Sequence, residues 1–432
     1  MKQCRISFGI ASKMNNHTGW VILGTLVFYL ASVAEPGLLP VPTFFAWSVP
    51  FLTWRILGRN ARNQSVLLVS VGLAALLFSA SQGSFLGAKQ ILAVNLPLLA
   101  MFVAVSFLSL TNRELEDPAL PKGTSAVVTT ALGTHLLGAV INLSVLFVFG
   151  DRLQKNGGLS RVQMIILARS FCAAAWWSPF FIATGVALTY APGMSWQKTL
   201  IPGAIMSCIA IGFSLVEVCS FRKGEFSGYP LRLESLVVPV FLAAVVIGMH
   251  HFRPDISILN LICMLAPAGS LVFMKGRPRM ATLHDFVTNR MASVSSQFAL
   301  FLAAGVFSTG LKSITLLYPA LFSFGNSAFT PWLFAILLGV MILIGIMGVH
   351  PVVSIAIVSP LLLPLNVDHS QMGFLFLSSW AISTGSSPLS GVGLALVSRY
   401  QAAPREIIAD NWHYALVMWA IASLANMTFF AY

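Results

Sequence analysis

Long apolar stretches separated by short polar loops run through the whole chain. Two of them, 162–190 and 371–398, are unusually long, and each is broken near its middle by Ser-Pro. Nine others have about the length of complete membrane spans, roughly 17–25 residues: 19–35, 39–57, 65–82, 91–110, 199–220, 235–250, 254–275, 294–318 and 411–431. The pattern predicts an all-α polytopic membrane protein with about eleven transmembrane helices.

Two apolar stretches do not fit a single crossing. Residues 124–150 are too short for two spans and contain Gly133-Thr134-His135 near their middle. Residues 331–365 are interrupted at Gly348-Val349-His350-Pro351, and the second arm is too short to cross ~30 Å of hydrocarbon. We predict that both are re-entrant helical hairpins, with their tips at the two Gly-X-His sequences.

Loop charges test this topology, because cytoplasmic loops carry an excess of Lys and Arg. With the N-terminus inside and both hairpins re-entrant, 20 basic residues lie inside and 4 outside. If both stretches crossed instead, the numbers would be 13 and 11. The re-entrant topology is favoured, with an outside C-terminus and two hairpins that enter from opposite faces, as in an inverted repeat.

Composition agrees with one membrane domain over 1–432. The chain is 57% apolar and only 9% charged, whereas soluble proteins carry about 25% charged residues. The net charge of +12 lies in short loops, so we expect no nucleic-acid partner. No metal-ligand spacing, phosphate-binding loop or hydrolase triad occurs in the sequence. We therefore expect no enzyme activity, no metal site and no cofactor other than a sodium ion.

The two broken stretches carry the strongest candidate site. Proline removes a helical hydrogen bond, so Ser178-Pro179 and Ser387-Pro388 should each split their span into half-helices. The N-terminus of a half-helix attracts an anion, and breaks at corresponding places in inverted halves mark a transporter's midplane site. Packing kinks are the alternative. Hydroxyls that could hold sodium belong to Ser178, Thr384, Ser386 and Ser387.

His135, with Thr134 beside it, and His350 are the ionisable groups predicted at the hairpin tips. Either histidine could donate to an anion or titrate as a coupling proton site. The alternative for each is a neutral imidazole that is hydrogen-bonded at a turn. No Asp or Glu is predicted at the midplane, which argues against a carboxylate proton relay.

Four more residues are candidates for a pocket wall or gate. Arg169 is either a gate or steering charge, or an arginine that extends its side chain to the membrane interface. Trp176 and Trp177 either wall the cavity or pack ordinarily. Asn142 either caps the site or bonds across helices.

The order of these elements resembles the ion transporter superfamily, which includes divalent anion:sodium symporters, citrate transporters and arsenite permeases. The shared features are two opposed hairpins, each followed by a span broken at Ser-Pro, here Ser178-Pro179 and Ser387-Pro388. The symporters' tips carry Ser-Asn-Thr where this chain has its two Gly-X-His sequences. The resemblance implies a homodimer with a scaffold and an elevator-like moving part. It divides the chain into 19–123 (scaffold), 124–190 (inner hairpin and broken span), 199–318 (scaffold and linker), 330–398 (outer hairpin and broken span) and 411–432 (last span).

The sequence therefore predicts a secondary active transporter of a small anion, coupled to sodium or protons, in a bacterial inner membrane. A metalloid or oxyanion efflux permease is the alternative within this class. A membrane-embedded enzyme and a non-transporting membrane subunit are alternatives of other classes.

Overall fold

The computed structural model describes residues 2–111, 120–154, 158–221, 226–230, 237–276, 278–322 and 329–430. Over these residues the secondary structure is almost entirely helical, with an isolated antiparallel bridge between Lys122 and Ser227. The α-helices are α1 Lys2–Ala34, α2 Pro40–Thr53, α3 Arg59–Ser81, α4 Ala88–Ala93, α5 Leu96–Ser106, α6 Thr124–Ile141, α7 Ser144–Leu153, α8 Arg161–Ala173, α9 Ile182–Tyr190, α10 Trp196–Val216, α11 Val237–Phe252, α12 Ile258–Val272, α13 Arg279–Asp285, α14 Ser295–Leu317, α15 Pro319–Phe322, α16 Pro331–Ile346, α17 Pro351–Leu362, α18 His369–Ser386, α19 Gly391–Tyr400 and α20 Pro404–Phe429.

Six helical stretches of the described chain are long and apolar enough to cross a membrane. They are His17–Ala34, Arg59–Ser81, Ala88–Thr111, Thr124–Ile141, Trp196–Ser220 and Arg279–Leu317. Four shorter apolar helices accompany them. The predicted class, an all-α polytopic membrane protein, is confirmed. The number of crossings and the side on which each end lies stay predictions.

The chain forms two compact units. Unit 1 comprises Met1–Arg113 and Phe241–Leu321, and unit 2 comprises Glu114–Val240 and Phe322–Tyr432. All the candidate site residues belong to unit 2. Unit 2 also contains α10, which the sequence-based division grouped with scaffold spans.

Unit 1 is held together by the close packing of α3 against α14. A Cβ on Gly72 would lie 2.7 Å from the Cα of Phe307, and one on Gly310 would lie 2.5 Å from the carbonyl oxygen of Gly72. The two backbones can approach this closely only because neither glycine carries a side chain. Further along the same pair of helices, the hydroxyls of Ser79 and Ser313 are 2.7 Å apart.

The predicted break of the second hairpin is confirmed. Helix α16 ends at Ile346 and α17 begins at Pro351. Gly348 has φ +100°, a conformation that glycine adopts freely. Its N–H bonds the carbonyl of Gly345 and the next N–H bonds that of Ile344, a glycine-terminated helix end.

The predicted break of the first hairpin, at Gly133-Thr134-His135, is wrong. Helix α6 continues through these residues to Ile141, and the break lies at Asn142–Leu143. Asn142 has φ 52°, which asparagine tolerates better than most residues because its short side chain bonds locally. Gly133 and the adjacent threonine are both buried within α6, where small residues allow neighbouring helices to approach closely.

Unit 2 repeats one order of helices. A long arm, a short arm, two half-helices and a long helix follow each other in α6–α10 and again in α16–α20. This order matches the repeat that the two Ser-Pro breaks predict. That the two copies are inverted across a membrane stays a prediction.

Candidate functional site

Both predicted half-helix pairs exist. Helix α8 ends at Ala173, a single 3-10 turn covers Ala174–Trp176, and α9 begins at Ile182. Helix α18 ends at Ser386 and α19 begins at Gly391. Pro179 and Pro388 lie inside the two gaps, where the absence of a proline N–H has no helical bond to break.

One serine has the same role in each gap. The Ser178 hydroxyl donates to the carbonyl of Ala139 on α6 and accepts from the N–H of Phe180 at 3.2 Å. The Ser387 hydroxyl donates to the carbonyl of Ile346 on α16 at 3.1 Å and accepts from the N–H of Leu389 at 3.2 Å. Each serine therefore ties a gap to the end of the preceding hairpin's first arm.

The second half-helices begin differently. Ser390 caps α19, since its hydroxyl accepts from the N–H of Gly393 at 3.0 Å. The single hydroxyl proton is shared between the carbonyls of Thr384 and Ser387, whose oxygens lie 2.8 and 2.9 Å away. At α9 the N-cap residue is Phe181, whose side chain makes no cap bond. The Thr184 hydroxyl bonds back to the carbonyl of Ser178 at 2.6 Å. The start of α9 is thus the less occupied of the two helix N-termini.

The two broken helices meet within unit 2. A Cβ on Gly385 would lie 3.3 Å from the Cβ of Cys172. The indole N–H of Trp176 donates to the hydroxyl of Ser378 at 3.1 Å, and Trp176 is completely buried. The structure thus brings the end of α8 against α18 beside both gaps, as a shared site requires.

Several hydroxyls near the gaps have no hydrogen-bond partner among the described residues. Those of Thr384 and Ser386, in the last turn of α18, are buried in this way. A buried polar atom without a partner costs about 1–3 kcal/mol, so such a group is a candidate for an ion, a substrate or a water. The same holds for Thr134, Ser170 and Ser379, and for the side-chain carbonyl of Asn142.

His135 lies at the side of α6 and not at a tip, and its hydrogen bonds fix its protonation. Its Nε2 is 3.1 Å from the indole nitrogen of Trp177, which can only donate. Nε2 must therefore be an acceptor. The proton is then on Nδ1, 3.0 Å from the carbonyl oxygen of Ser170. His135 is a neutral imidazole with a partner on each ring nitrogen, and the Ser207 hydroxyl lies 3.4 Å from Nε2 as well.

His350 does lie at a tip, immediately before α17. Its Nδ1 accepts from the N–H of Val352 at 3.3 Å, and its ring packs edge-on against Trp380 with centroids 5.2 Å apart. The predicted symmetric pair of histidines is wrong, because the counterpart of this tip is Asn142–Leu143. Asn142 donates its side-chain N–H to the carbonyl of Phe180 at 3.1 Å, so it bonds to the gap between α8 and α9 and not to another helix.

Arg169 is wholly buried, so the expectation of a side chain reaching the interface is wrong. Its Nη1 donates to Glu217 at the end of α10 at 2.6 Å, its Nε to Asn411 at 2.7 Å and its Nη2 to the backbone oxygen of Asp410 at 2.6 Å. The guanidinium also lies 4.4 Å from the centre of the Tyr414 ring. It joins α8, α10 and α20.

Sequence analysis missed the partners of Arg169. A carboxylate oxygen of Glu217 also lies 3.0 Å from Nε2 of His413, and Asp410 forms two bonds with Arg161. A guanidinium inside an apolar helix needs a carboxylate, and this signal could have identified a partner. Choosing Glu217 over other acids required the packing of α8 on α10.

The fold has a solved counterpart. The crystal structure of the YdaH transporter of Alcanivorax borkumensis matches with a TM-score of 0.53 at 13% sequence identity, over 85% of this chain and 98% of that one. The chain therefore has the fold of that membrane protein. No protein-family model matches the chain, and no curated protein matches its sequence.

Proposed function

We propose that the chain is a secondary active transporter of a small anion, an organic carboxylate or an oxyanion, that works by elevator-like alternating access. One observation carries the proposal: two helix gaps, each tied by a serine to a hairpin arm, meet in one unit beside the buried, unpartnered hydroxyls of Thr384 and Ser386. Broken helices at corresponding places of two repeats are how transporters build midplane sites. The likeness to the YdaH transporter supports the class.

The anion would bind at the start of α9. This N-terminus has no side-chain cap, and free N–H groups at a helix start attract negative charge. Trp176 is fully buried and Trp177 is bonded through both its indole and its carbonyl. Both tryptophans therefore support the shape of the gap, and Trp177, half-buried, is the better pocket wall.

Sodium is the better supported of the two coupling ions. The hydroxyls of Ser178 and Ser387 already hold the gaps together, so Thr384 and Ser386 are the side chains left to bind a cation along with gap carbonyls. His135 would have to lose its bond from Trp177 to become charged, which disfavours it as the proton carrier. His350 remains the candidate if protons are used.

Ligand-induced stabilisation of the purified protein tests the proposal across several classes of substrate at once. Anything that binds the folded state alone raises its apparent stability. Thermal unfolding is measured with and without sodium, across dicarboxylates, citrate, phosphate, arsenite and antimonite. We expect sodium to stabilise the protein and to increase the effect of one anion class. Hits then enter proteoliposome uptake assays with imposed sodium or pH gradients.

Thr384→Val and Ser386→Ala should each lower the apparent sodium affinity, measured from thermal stabilisation against sodium concentration, about tenfold. This is the effect expected from the loss of one buried polar contact. Ser383→Ala is the matched control, because its hydroxyl bonds back to the carbonyl of Ser379 at 2.7 Å. An equal loss of sodium affinity in all three variants would show that the hydroxyls of Thr384 and Ser386 do not bind sodium. A pH-gradient requirement abolished by His350→Gln would favour proton coupling.

The remaining alternatives predict other outcomes. Stabilisation by arsenite or antimonite alone, with export in vesicles, would favour a metalloid efflux permease. No ligand response and no phenotype for the gap variants would indicate a non-transporting subunit, whereas chemical turnover of a lipid-linked substrate would indicate an enzyme. We propose a homodimer in the bacterial inner membrane, with the N-terminus cytoplasmic and the C-terminus outside.

A further inference from the structure

A groove in unit 1 lies between the end of α2 and the beginning of α3, remote in sequence from all the residues of the candidate site. It is an open surface groove with a volume of about 480 Å³. The groove is lined by Trp54, Arg62, Asn63, Val66, Leu67 and Ser70.

The groove has Arg62 and Asn63 at one end, apolar side chains along its middle and the small hydroxyl of Ser70 at the far end. Five of its six lining residues follow each other at helical spacing on one side of α3, over about 12 Å. Arg62 and Asn63 lie at the start of the helix, and Val66 and Leu67 follow one turn further on. These two apolar side chains are 48% and 63% exposed. An amphiphile with an anionic head matches this gradient.

The charge at the polar end is not neutralised by the protein. Arg55, Arg59 and Arg62 lie within eight residues, and the sequence has no Asp or Glu between Glu35 and Glu114. Within the described parts of the chain, Arg62 forms no ion pair or side-chain hydrogen bond. A half-buried guanidinium beside apolar surface favours an anion from outside the chain.

The membrane offers such an anion. The positive-inside count predicts that this loop lies at the cytoplasmic leaflet, whose anionic lipids are bound by basic pockets near the ends of helices. Trp54 fits the membrane–water interface at this loop, because its indole N–H is polar and its rings are apolar.

We propose that this groove binds one anionic phospholipid. The phosphate accepts from the guanidinium of Arg62, assisted by the amide of Asn63 and the indole N–H of Trp54. An acyl chain lies along Val66 and Leu67. The proposal does not depend on the transported substrate.

Native mass spectrometry of the full-length protein, titrated with phosphatidylglycerol or phosphatidylcholine, tests this site. We expect tighter retention of phosphatidylglycerol, and Arg62→Gln should weaken it about tenfold, as expected for a charged hydrogen bond. Arg279→Gln is the matched control: it removes the same charge from an exposed residue of unit 1 outside the groove. Leu67→Asn should weaken retention of both lipids by blocking the chain path.

Three results would overturn the proposal. Equal loss in Arg62→Gln and Arg279→Gln would indicate general attraction to anionic lipid. Thermal stabilisation by inorganic phosphate that matches the lipid effect and is lost in Arg62→Gln would indicate a phosphate site instead. A change of oligomeric state in Arg62→Gln, without a change in lipid retention, would indicate an interface between copies.

Discussion

The two halves of unit 2 share one layout but are held together by different chemistry. In each half a serine ties the gap to a hairpin arm. Beyond the gaps they differ. Arg169 anchors α8 through a buried ion pair. At the corresponding place in α18, nine residues before the gap serine, Ser378 accepts a bond from Trp176 and has no charged partner among the described residues. The two copies of a repeat can thus keep the same geometry while the interactions that stabilise them differ in strength.

The far ends of the half-helices differ in the same way. At the end of α7, Asp151 accepts two bonds from Arg399 at 2.8 and 2.6 Å and one from Tyr400 at 2.8 Å, both on α19. The equivalent contact of α17 with α9 includes a bond from the Ser359 hydroxyl to the carbonyl of Tyr190. The α7–α19 contact is charged and the α17–α9 contact is neutral. If unit 2 alternates between conformations, separating α7 from α19 should require more free energy than separating α17 from α9.

The largest effect on stability is expected at Arg169 and at Ser378, the corresponding residue of the other half. Arg169→Met takes the guanidinium away from the Glu217 carboxylate and leaves His413 beside it, which should lower the free energy of unfolding by about 3–5 kcal/mol. Ser378→Ala removes one neutral bond and should cost about 1 kcal/mol. Thermal and denaturant unfolding in detergent measures both. The double variant Arg169→Met/Glu217→Gln should recover part of the lost stability. Similar losses in Arg169→Met and Ser378→Ala would contradict the difference between the two halves.

A smaller effect is expected at the helix ends. Asp151→Asn weakens a charge-assisted bond from Tyr400, worth about 1.5–3 kcal/mol, and a half-exposed ion pair worth about 0–1 kcal/mol. Hydrogen exchange in the last turns of α7 and α19 should speed up clearly. Ser359→Ala should affect exchange at the end of α9 less. The charge swap Asp151→Arg/Arg399→Asp should restore part of the protection, and a swap that behaves like the single variant would argue against a specific pair.

The smallest effect tests what the halves share. Ser178→Ala and Ser387→Ala each remove one donor and one acceptor bond, so each should cost about 1–2 kcal/mol. The two losses should agree within about 0.5 kcal/mol, and they should add in the double variant if the sites are independent. Unfolding of the three variants measures this. Clearly unequal losses would mean that the two serines are equivalent in position only.

Sequence alone predicted the features that local chemistry controls. Proline removes a helical hydrogen bond, which predicted the gaps at Pro179 and Pro388, and Gly348 before Pro351 marked a tip. Proline alone does not decide a break, since α2, α10, α12 and α17 each contain an internal one. The tip at Asn142 was missed because a glycine inside an apolar helix resembles a break when packing is unknown. The partners of Arg169 and the donor to His135 lie far away in sequence, so their identity depends on how helices cross.

The glycine contact of α3 with α14 has a practical consequence for any study of motion. Two backbones in direct contact leave no side chains that could repack to let the helices slide, so distances across this pair should stay constant whatever the protein binds. Spin labels on the exposed sides of the two helices would therefore report an invariant distance. That distance would serve as an internal standard by which real movements elsewhere in the chain are distinguished from differences between preparations.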